Sequence, residues 1–209
     1  MTALFMDSFD HYGTGDVTAV STITSPAMNN MLNAGWNIYN TGGASNMYYG
    51  ITTPIWGPAR TGPYAFYRES GNSGNQANAC TRALPVPLTR LFMSVSIAID
   101  NLPSEITTLL QFRTNLDAGI CDLRVLPNGS LQMYNANTST VISTTAGSVM
   151  VPHTWYFMEM DVNTAGNWVL RVNDASGTDT PILQGALSGG TIAIVGLGGR
   201  IREGTTMVG

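Results

Sequence analysis

Apolar and polar residues alternate along two neighbouring stretches in the C-terminal third of the chain. Residues 155–162 alternate, and after a short connection at 163–166 the alternation resumes over residues 167–173. Successive side chains of a β-strand point to opposite faces of its sheet, so Glu159 and Asp161 share one face of the first strand. The pattern predicts an antiparallel hairpin. The two acids on its first strand are either catalytic carboxylates or solvated strand residues.

A second hairpin is predicted around an Asn-Gly turn. Residues 119–126 alternate, and residues 131–134 return antiparallel to them. The Asn-Gly pair within residues 127–130 tolerates positive φ, as a tight turn requires. The alternation of the first strand directs Asp122 and Arg124 away from the core.

Other strands follow the same pattern more briefly. Residues 91–100 carry five apolar side chains on one face, which predicts a central strand with one face in the core. Helix propensity is weak throughout, and at most a turn or two of helix is expected, at residues 26–33. Shorter strands are predicted at residues 4–12, 35–39, 107–112, 141–142, 149–151, 180–184 and 191–195.

Many short strands at close spacing predict an all-β fold, either a sandwich or a barrel. The length of 209 residues fits one such domain. We expect residues 1–84 to supply N-terminal strands and loops rich in aromatic residues, Gly and Pro, and residues 85–209 to supply the core strands.

Charge is scarce in this chain and narrows the choice of partners. Charged residues make up 11% of the sequence, none of them is lysine, and the net charge is −4. Soluble domains usually carry about 25% charged residues. The nine arginines provide no basic patch large enough to neutralise a phosphate backbone, so no nucleic-acid partner is expected. A surface with so little charge favours close packing against other protein molecules.

The two cysteines and the histidines form no metal-binding pattern. Cys80 and Cys121 are 41 positions apart and belong to neither a CxxC motif nor a Cys/His cluster. We expect two reduced thiols, with a disulfide as the open alternative. No cofactor or metal is expected. The acids near predicted loops follow no calcium-loop spacing, and we interpret them as solvated turn residues: Asp117, Asp122, Asp174 and Asp179.

No membrane-associated segment is expected. The N-terminus lacks a basic region followed by an apolar run, so no signal peptide is predicted. Nowhere do 18 consecutive apolar residues occur, so no transmembrane helix is predicted. We expect the protein to be made in a cytoplasm.

With these elements placed, residues 85–185 resemble the concanavalin A-like, or laminin-G-like, jelly roll. The resemblance lies in the alternating strands, the Pro-Asn-Gly turn, Trp155 at the start of a strand, and the run Gly-Asn-Trp-Val-Leu-Arg-Val-Asn at 166–173. The opening run Leu-Phe-Met-Asp-Ser-Phe-Asp-His-Tyr at 4–12 resembles the start of tailed-phage structural proteins that carry such a domain.

This resemblance implies a structural virion protein, decorating the phage head or belonging to the tail. Its expected partners are other virion proteins and further copies of itself, and its expected location is the virion, assembled in the host cytoplasm. The apolar segment 191–199 and the end of the chain at 200–209 fit this view. They are expected to pair with a neighbouring subunit, or else the natural chain continues.

Two alternative functions come from the same fold. Retaining glucanases of this family place three acids on one strand in an E-x-D-x-(x)-E pattern. Glu159 and Asp161 match the first half, but Asn163 and Thr164 stand where the second Glu belongs. Without that acid the leaving oxygen has no proton donor, so we expect no enzyme and no catalytic residue.

The other alternative is a carbohydrate-binding, lectin-like module for host-surface glycans. Aromatic rings pack on the apolar faces of sugars, and in calcium-assisted sugar binding acidic side chains in loops could supply oxygen ligands to the ion. The sequence offers Trp168, Asp174 and Asp179 as possible glycan contacts.

Overall fold

The structure is a computed structural model that describes most of the chain. It covers residues 15–19, 26–40, 47–52, 65–70, 78–116, 118–173, 181–198 and 204–208. Predictions that fall on other positions lie outside the described residues, including the N-terminal segment 4–12.

The described ranges form fifteen strands and one helix. In chain order they are β1 (Gly15–Ala19), α1 (Pro26–Asn33), β2 (Trp36–Asn40), β3 (Met47–Thr52), β4 (Ala65–Ser70), β5 (Asn78–Leu88), β6 (Arg90–Ile99), β7 (Thr107–Arg113), β8 (Gly119–Val125), β9 (Leu131–Asn135), β10 (Thr140–Thr144), β11 (Tyr156–Asn163), β12 (Ala165–Asn173), β13 (Pro181–Ser188), β14 (Ile192–Leu197) and β15 (Gly204–Val208).

The strands build two antiparallel sheets that pack as a β-sandwich. The eight-stranded sheet, called sheet A below, has the order β1-β3-β4-β15-β6-β11-β12-β13. The seven-stranded sheet, called sheet B, has the order β10-β9-β8-β7-β14-β5-β2. The predicted all-β sandwich is therefore confirmed. Strands from residues 1–84 and from residues 85–209 occur in both sheets.

The core lies between the two inward faces, and alternation decides which side chains enter it. The predicted central strand is β6, whose inward residues include Val95 and Ile97, both buried. Its partner β11 supplies the buried side chains Met158 and Tyr156 in register with them. From sheet B the core receives the buried side chains Leu110, Phe112, Cys121, Leu123, Val125, Leu131 and Met133. Polar residues of these strands therefore face outward.

The hairpin of β11 and β12 forms as predicted, but with a tighter connection. The strands end and resume on either side of Thr164 alone, not of four residues. Thr164 is buried, and its hydroxyl donates to the carbonyl oxygens of Gly190, at 2.7 Å, and Thr89, at 3.2 Å. These bonds fix the end of the hairpin to two other loops.

The predicted helix is also confirmed, at Pro26–Asn33. Proline suits the first turn of a helix because the N–H it lacks would have no partner there. The helix ends at Asn33, and the turn that follows contains Gly35, whose φ of 96° lies in the left-handed region where glycine is favoured. Met31 on its inner side is fully buried.

One strand was missed, and two predictions about strands were wrong. The long strand β5 was missed because Pro85 and Pro87 argue against a strand interior. Residues 149–151 form no strand; the N–H groups of Val149 and Met150 instead donate to the carbonyl of Gly129 in the β8–β9 turn. The described residues of 191–199 and 200–209 are not open to pairing with a neighbouring subunit, since β14 lies between β5 and β7, and β15 lies between β4 and β6.

The two cysteines are free and cannot form a disulfide in this fold. Cys80 on β5 and Cys121 on β8 are separated by β14 and β7, which is three strand spacings, or about 14 Å. A disulfide needs α-carbons within about 7 Å of each other. Burial raises the pKa of the Cys121 thiol, which keeps it protonated.

Candidate functional site

Glu159 and Asp161 lie where the alternation predicted, on the outward face of sheet A. Asp161 accepts two hydrogen bonds from Arg90, from Nε at 2.9 Å and from Nη2 at 2.7 Å. Glu159 lies opposite Arg171 of β12 and Ser94 of β6 in the strand register. Both acids are therefore placed beside basic or polar partners on a sheet surface.

Arg90 and Asp161 belong to a small group with an exposed aromatic ring. The guanidinium of Arg90 lies 4.7 Å from the centroid of the Phe92 ring, and Phe92 is 48% exposed. Hereafter these three residues, Arg90, Phe92 and Asp161, are called the Arg90 cluster. Water reaches the pair readily, because the Arg90 side chain is 54% exposed.

Trp168 was predicted as a glycan contact, and the structure corrects this. Its side chain is inward, 0% exposed and part of the hydrophobic core. A ring without exposed surface cannot stack on a sugar. The alternation that groups it with Leu170 and Val172 already indicates a core position. Asp174 and Asp179, the other two predicted contacts, lie outside the described residues, as does Asp117.

Asp122 is not a turn residue, as had been expected. It lies in the middle of β8, and its side chain is largely buried on the outward face of sheet B. The strand register sets it between Gln111 of β7 and Tyr134 of β9. In the next row, Arg124 lies beside Gln132 of β9.

Six polar side chains thus share the outward side of three adjacent strands. Together they are called the polar face: Gln111, Arg113, Asp122, Arg124, Gln132 and Tyr134. On a solvated sheet such residues would be exposed, yet Gln111, Asp122 and Gln132 are buried. Long polar side chains that cover one another in this way form a preorganised group, because few of them are free to rotate.

Hydrogen bonds connect the members of the polar face in pairs. Arg124 Nη2 donates to Asp122 Oδ2 at 3.0 Å, and Arg113 Nε donates to the side-chain oxygen of Gln111 at 3.0 Å. Gln132 Nε2 donates to the Thr144 hydroxyl of β10 at 3.3 Å. The amide and carboxylate groups are thereby fixed in orientation.

The guanidinium of Arg124 is held against an aromatic ring. Its Cζ atom lies 3.3 Å from the centroid of the Tyr134 ring, a stacked cation–π contact. Its Nε is buried and has no hydrogen-bond partner among the described residues. A buried donor without an acceptor is costly, so this atom lowers the stability of the free protein. Asp122, Arg124 and Tyr134 are called the Arg124 cluster.

The electrostatics of this group follow from its burial. Loss of water raises the pKa of Asp122, while the hydrogen bond and charge of Arg124, and the charge of Arg113, act in the opposite direction. The side chains remain partly accessible, at 11% for Asp122 and 21% for Arg124. A ligand can therefore reach the edge of the pair without unfolding the sheet.

The described residues contain neither a metal-binding group of side chains nor a membrane-spanning helix. No three of their His, Cys, Asp and Glu side chains lie close enough together to hold a metal ion. Their single helix, of eight residues, is far too short to span a bilayer.

Sequence reasoning located part of the polar face without recognising it. It directed Asp122 and Arg124 outward, but gave no role to Gln111, Gln132 or Tyr134. A signal was present, since the Asn-Gly turn fixes the hairpin register and so places Asp122 beside Tyr134. The contribution of β7 could not be found this way, because its pairing with β8 depends on bulges.

No protein family and no curated protein sequence matches this chain. Solved structures do resemble it. Cellulose induced protein Cip1 superposes with a TM-score of 0.63 at 12% identity, covering 84% of this chain and 89% of its own. Carbohydrate-binding module CBM66 from Bacillus subtilis gives 0.54 at 12% identity, covering 83% and 91%.

A third resemblance covers nearly the whole of this chain but less than half of its counterpart. It is to a structure of botulinum neurotoxin type C, described as dependent for cell entry on interaction with two ganglioside molecules. The TM-score is 0.51 at 11% identity, covering 95% of this chain and 47% of the other. At such identities these likenesses show the fold alone, and they confirm the concanavalin A-like jelly roll. Nothing in them indicates a phage virion protein.

Proposed function

We propose that the protein is a carbohydrate-binding module and that its glycan binds on the polar face. The observation that carries this proposal is the arrangement of the Arg124 cluster. It combines a carboxylate, a guanidinium and an aromatic ring that contact one another on one sheet face, with the edges of the Asp122 and Arg124 side chains accessible.

The chemistry of the polar face suits sugar hydroxyl groups. A hydroxyl both donates and accepts hydrogen bonds. The oxygens of Asp122 accept them, the guanidinium groups of Arg113 and Arg124 donate them, and the amide of Gln111 can do both. Because neighbouring side chains already hold these groups in place, binding costs little additional ordering.

The solved structures support the same proposal. Two resemble this chain over most of their length, and one of these is described as a carbohydrate-binding module. Fold alone does not give function, so the proposal depends on the side chains of the polar face.

The proposal is tested by comparing two arginine variants on a glycan array, followed by titration calorimetry with the glycans that bind. Arg124→Ala should weaken binding at least about tenfold, because a charged hydrogen bond is lost. Arg90→Ala is the matched control, since Arg90 also pairs with an aspartate beside an aromatic ring, but on sheet A. Equal loss in both variants, or in neither, would contradict the proposal.

We also propose that the protein has no glycosidase activity. The support is the absence of a second glutamate after Glu159 and Asp161, and the bidentate bond that Asp161 makes with Arg90. Both oxygens of Asp161 already accept hydrogen bonds from the Arg90 guanidinium, so a role as nucleophile would require that bidentate bond to break. Release of reducing ends from a β-glucan, lost in Glu159→Gln, would overturn this part.

Virion membership is a separate proposal that is compatible with glycan binding. Its support is the resemblance of residues 4–12 to tailed-phage structural proteins. A surface subunit of a virion, in contact with other virion proteins or with further copies of itself, could carry a module for host glycans. Mass spectrometry of purified particles tests this location: we expect the protein at a fixed ratio to the main capsid protein, and its absence would overturn the proposal.

A further inference from the structure

The sequence contains a single Asn-Gly pair, at residues 128–129, in the turn between β8 and β9. An asparagine followed by glycine loses its side-chain amide more readily than other asparagines, because glycine has no side chain to hinder attack by its own main-chain nitrogen. Asn128 is exposed, whereas Gly129 is buried. Water therefore reaches the amide that would react, while the attacking nitrogen belongs to a covered residue.

Hydrogen bonds hold both groups of this pair in place. The N–H of Gly129 donates to the carbonyl oxygen of Leu126 at 2.9 Å. The side-chain oxygen of Asn128 accepts the N–H of Ser130 at 3.0 Å. The φ of Gly129 is 80°, as the last residue of such a turn requires. Attack of the Gly129 nitrogen on Asn128 Cγ requires both hydrogen bonds to break.

The loop between β10 and β11 covers this turn. Its residues 148–151 are called the strap below. The carbonyl oxygen of Gly129 accepts the N–H groups of Val149 and Met150, each at 2.9 Å. A Cβ on Gly129 would collide with the carbonyl oxygen of Met150 and with Ser148 Oγ. With so little space between them, the turn opens only when the strap moves.

Two hydroxyl groups fasten the strap to neighbouring strands. The N–H of Val151 donates to the hydroxyl of Tyr156, on β11, at 3.0 Å. Just before the strap, Thr145 Oγ1 donates to the carbonyl oxygen of Gly147 at 2.8 Å and accepts the N–H of Leu131, on β9, at 3.0 Å. Loss of either hydroxyl should therefore loosen the cover over the turn.

We propose that Asn128 is a site of spontaneous deamidation and that the strap confines the reaction to molecules whose β8–β9 turn has opened. This inference goes beyond the proposed carbohydrate binding and does not depend on it. In the open turn the Gly129 nitrogen bonds to Asn128 Cγ, and the bond from Cγ to the side-chain nitrogen breaks. The proton of the Gly129 N–H passes through solvent to the departing nitrogen, which leaves as ammonia. Water then opens the succinimide ring, at Cγ to give aspartate or at the main-chain carbonyl carbon to give isoaspartate.

The first test compares the folded and the unfolded protein. Full-length wild type is kept in mildly alkaline buffer, with and without enough urea to unfold it, and deamidation of the peptide that contains Asn128 is followed by mass spectrometry. The folded protein should react at least about tenfold more slowly, because two hydrogen bonds must break first. No deamidation at Asn128 even in urea would overturn the inference. So would a folded protein that reacts as fast as the unfolded chain, which would mean that the bond from Ser130 activates the amide.

A second test loosens the strap without changing the turn. Tyr156→Phe keeps the ring but removes the acceptor of the Val151 N–H. The folded variant should deamidate up to about fivefold faster than the wild type, the factor that one neutral hydrogen bond implies. Thr145→Val should act in the same direction and provides a second test if Tyr156→Phe fails to fold.

Thr114→Val is the matched control. The Thr114 hydroxyl accepts the N–H groups of Leu116 and Ala118 in the β7–β8 turn, at the opposite end of β8. This variant also loses hydroxyl hydrogen bonds in a loop, but it should leave the deamidation rate unchanged. Equal acceleration in the strap variants and in the control, or acceleration in none of them, would overturn the role of the strap.

The two products should differ in stability. In isoaspartate the main chain runs through Cβ and Cγ, and the added methylene displaces the Gly129 N–H from the Leu126 carbonyl in the turn that sets the β8–β9 register. Aspartate keeps the chain length, and its carboxylate still accepts the N–H of Ser130. The isoaspartate form, separated by chromatography, should unfold at a lower temperature than Asn128→Asp, which should match the wild type. Equal unfolding temperatures for both forms would overturn the effect proposed for the turn.

Discussion

The two outward faces of the sandwich carry the same three kinds of side chain, arranged to different effect. In the Arg90 cluster, both Nε and Nη2 of the arginine bond to Asp161, and half of the arginine side chain is in water. In the Arg124 cluster, only Nη2 bonds to the aspartate, and Nε is buried without an acceptor. Both Nε and Nη2 of Arg90 therefore have an acceptor, whereas Nε of Arg124 has none among the described residues.

The difference teaches that burial and hydrogen-bonding capacity, not residue type, mark a candidate binding site. An exposed ion pair is screened by water and contributes little. In a less polar setting each hydrogen bond is stronger, and each unmade one costs more. A ligand that reaches the accessible edge of the Arg124 cluster therefore forms stronger hydrogen bonds there than one that competes for the Arg90 cluster.

The contrast between the Arg124 and Arg90 clusters would not explain binding if glycan affinity depended on the core side chains of sheet A. Trp168→Ala removes a fully buried ring and should lower the free energy of unfolding by about 3–5 kcal/mol. The molecules that remain folded should bind glycan with unchanged affinity. Urea denaturation and calorimetry at low temperature measure the two quantities. A Trp168→Ala variant that is fully stable but does not bind glycan would show that Trp168 contributes to the binding site.

A variant that displaces the polar face and leaves the Arg90 cluster in place would test the two clusters separately. Gly129 has a φ of 80°, and a Cβ there would collide with the carbonyl oxygen of Met150. Gly129→Ala should therefore destabilise the protein by about 1–3 kcal/mol and disturb the register of β8 and β9. Thermal unfolding and glycan affinity measure these effects.

Gly147→Ala is the control for this variant. An added Cβ at Gly147 meets nothing within 4 Å, and its φ is not positive. It should leave stability and affinity unchanged. If both alanine variants behave alike, the turn does not position the polar face.

The smallest expected effect is a difference in pH dependence at Asp122. Burial raises its pKa against the opposing effects of Arg124 and Arg113, and Tyr134 is the neighbour that β9 contributes. A carboxyl with a raised pKa binds its proton more readily in the folded state. The wild type should therefore gain stability relative to Asp122→Asn as the pH falls from 7 through the folded pKa.

That relative gain should be complete below the unfolded pKa of about 3.9. Urea unfolding of both proteins at several pH values measures it. If the wild type instead loses stability relative to Asp122→Asn on acidification, the bond with Arg124 outweighs burial. In the Arg124 cluster, as in the Arg90 cluster, the bond between arginine and aspartate would then be the dominant interaction of the carboxylate.

Local pattern was enough to predict the helix at residues 26–33 and both hairpins, because each depends on residues close in sequence. It was not enough for β15, whose neighbours β4 and β6 are far away along the chain. Such pairings require knowledge of the whole sheet order. An exposed end and a strand inside a sheet have the same alternation.

The candidate site was likewise predictable from the sequence only in part. The outward direction of Asp122 and Arg124 followed from alternation, and so did that of Glu159 and Asp161. The burial that separates the two pairs did not, since it depends on neighbours from other strands, such as Gln111 and Tyr134. Trp168 was wrongly proposed for sugar contact because an aromatic residue was considered without the face on which it lies.

The central claim is that glycan binds on the outward face of sheet B, and the most direct measurement is a map of backbone amide shifts during glycan titration. With the glycan fragment that binds best, the largest ¹H–¹⁵N shifts should fall on β7, β8 and β9, at Gln111, Asp122, Arg124 and Tyr134. Shifts concentrated on β6 and β11, around Phe92 and Asp161, would contradict the claim and place the ligand on sheet A.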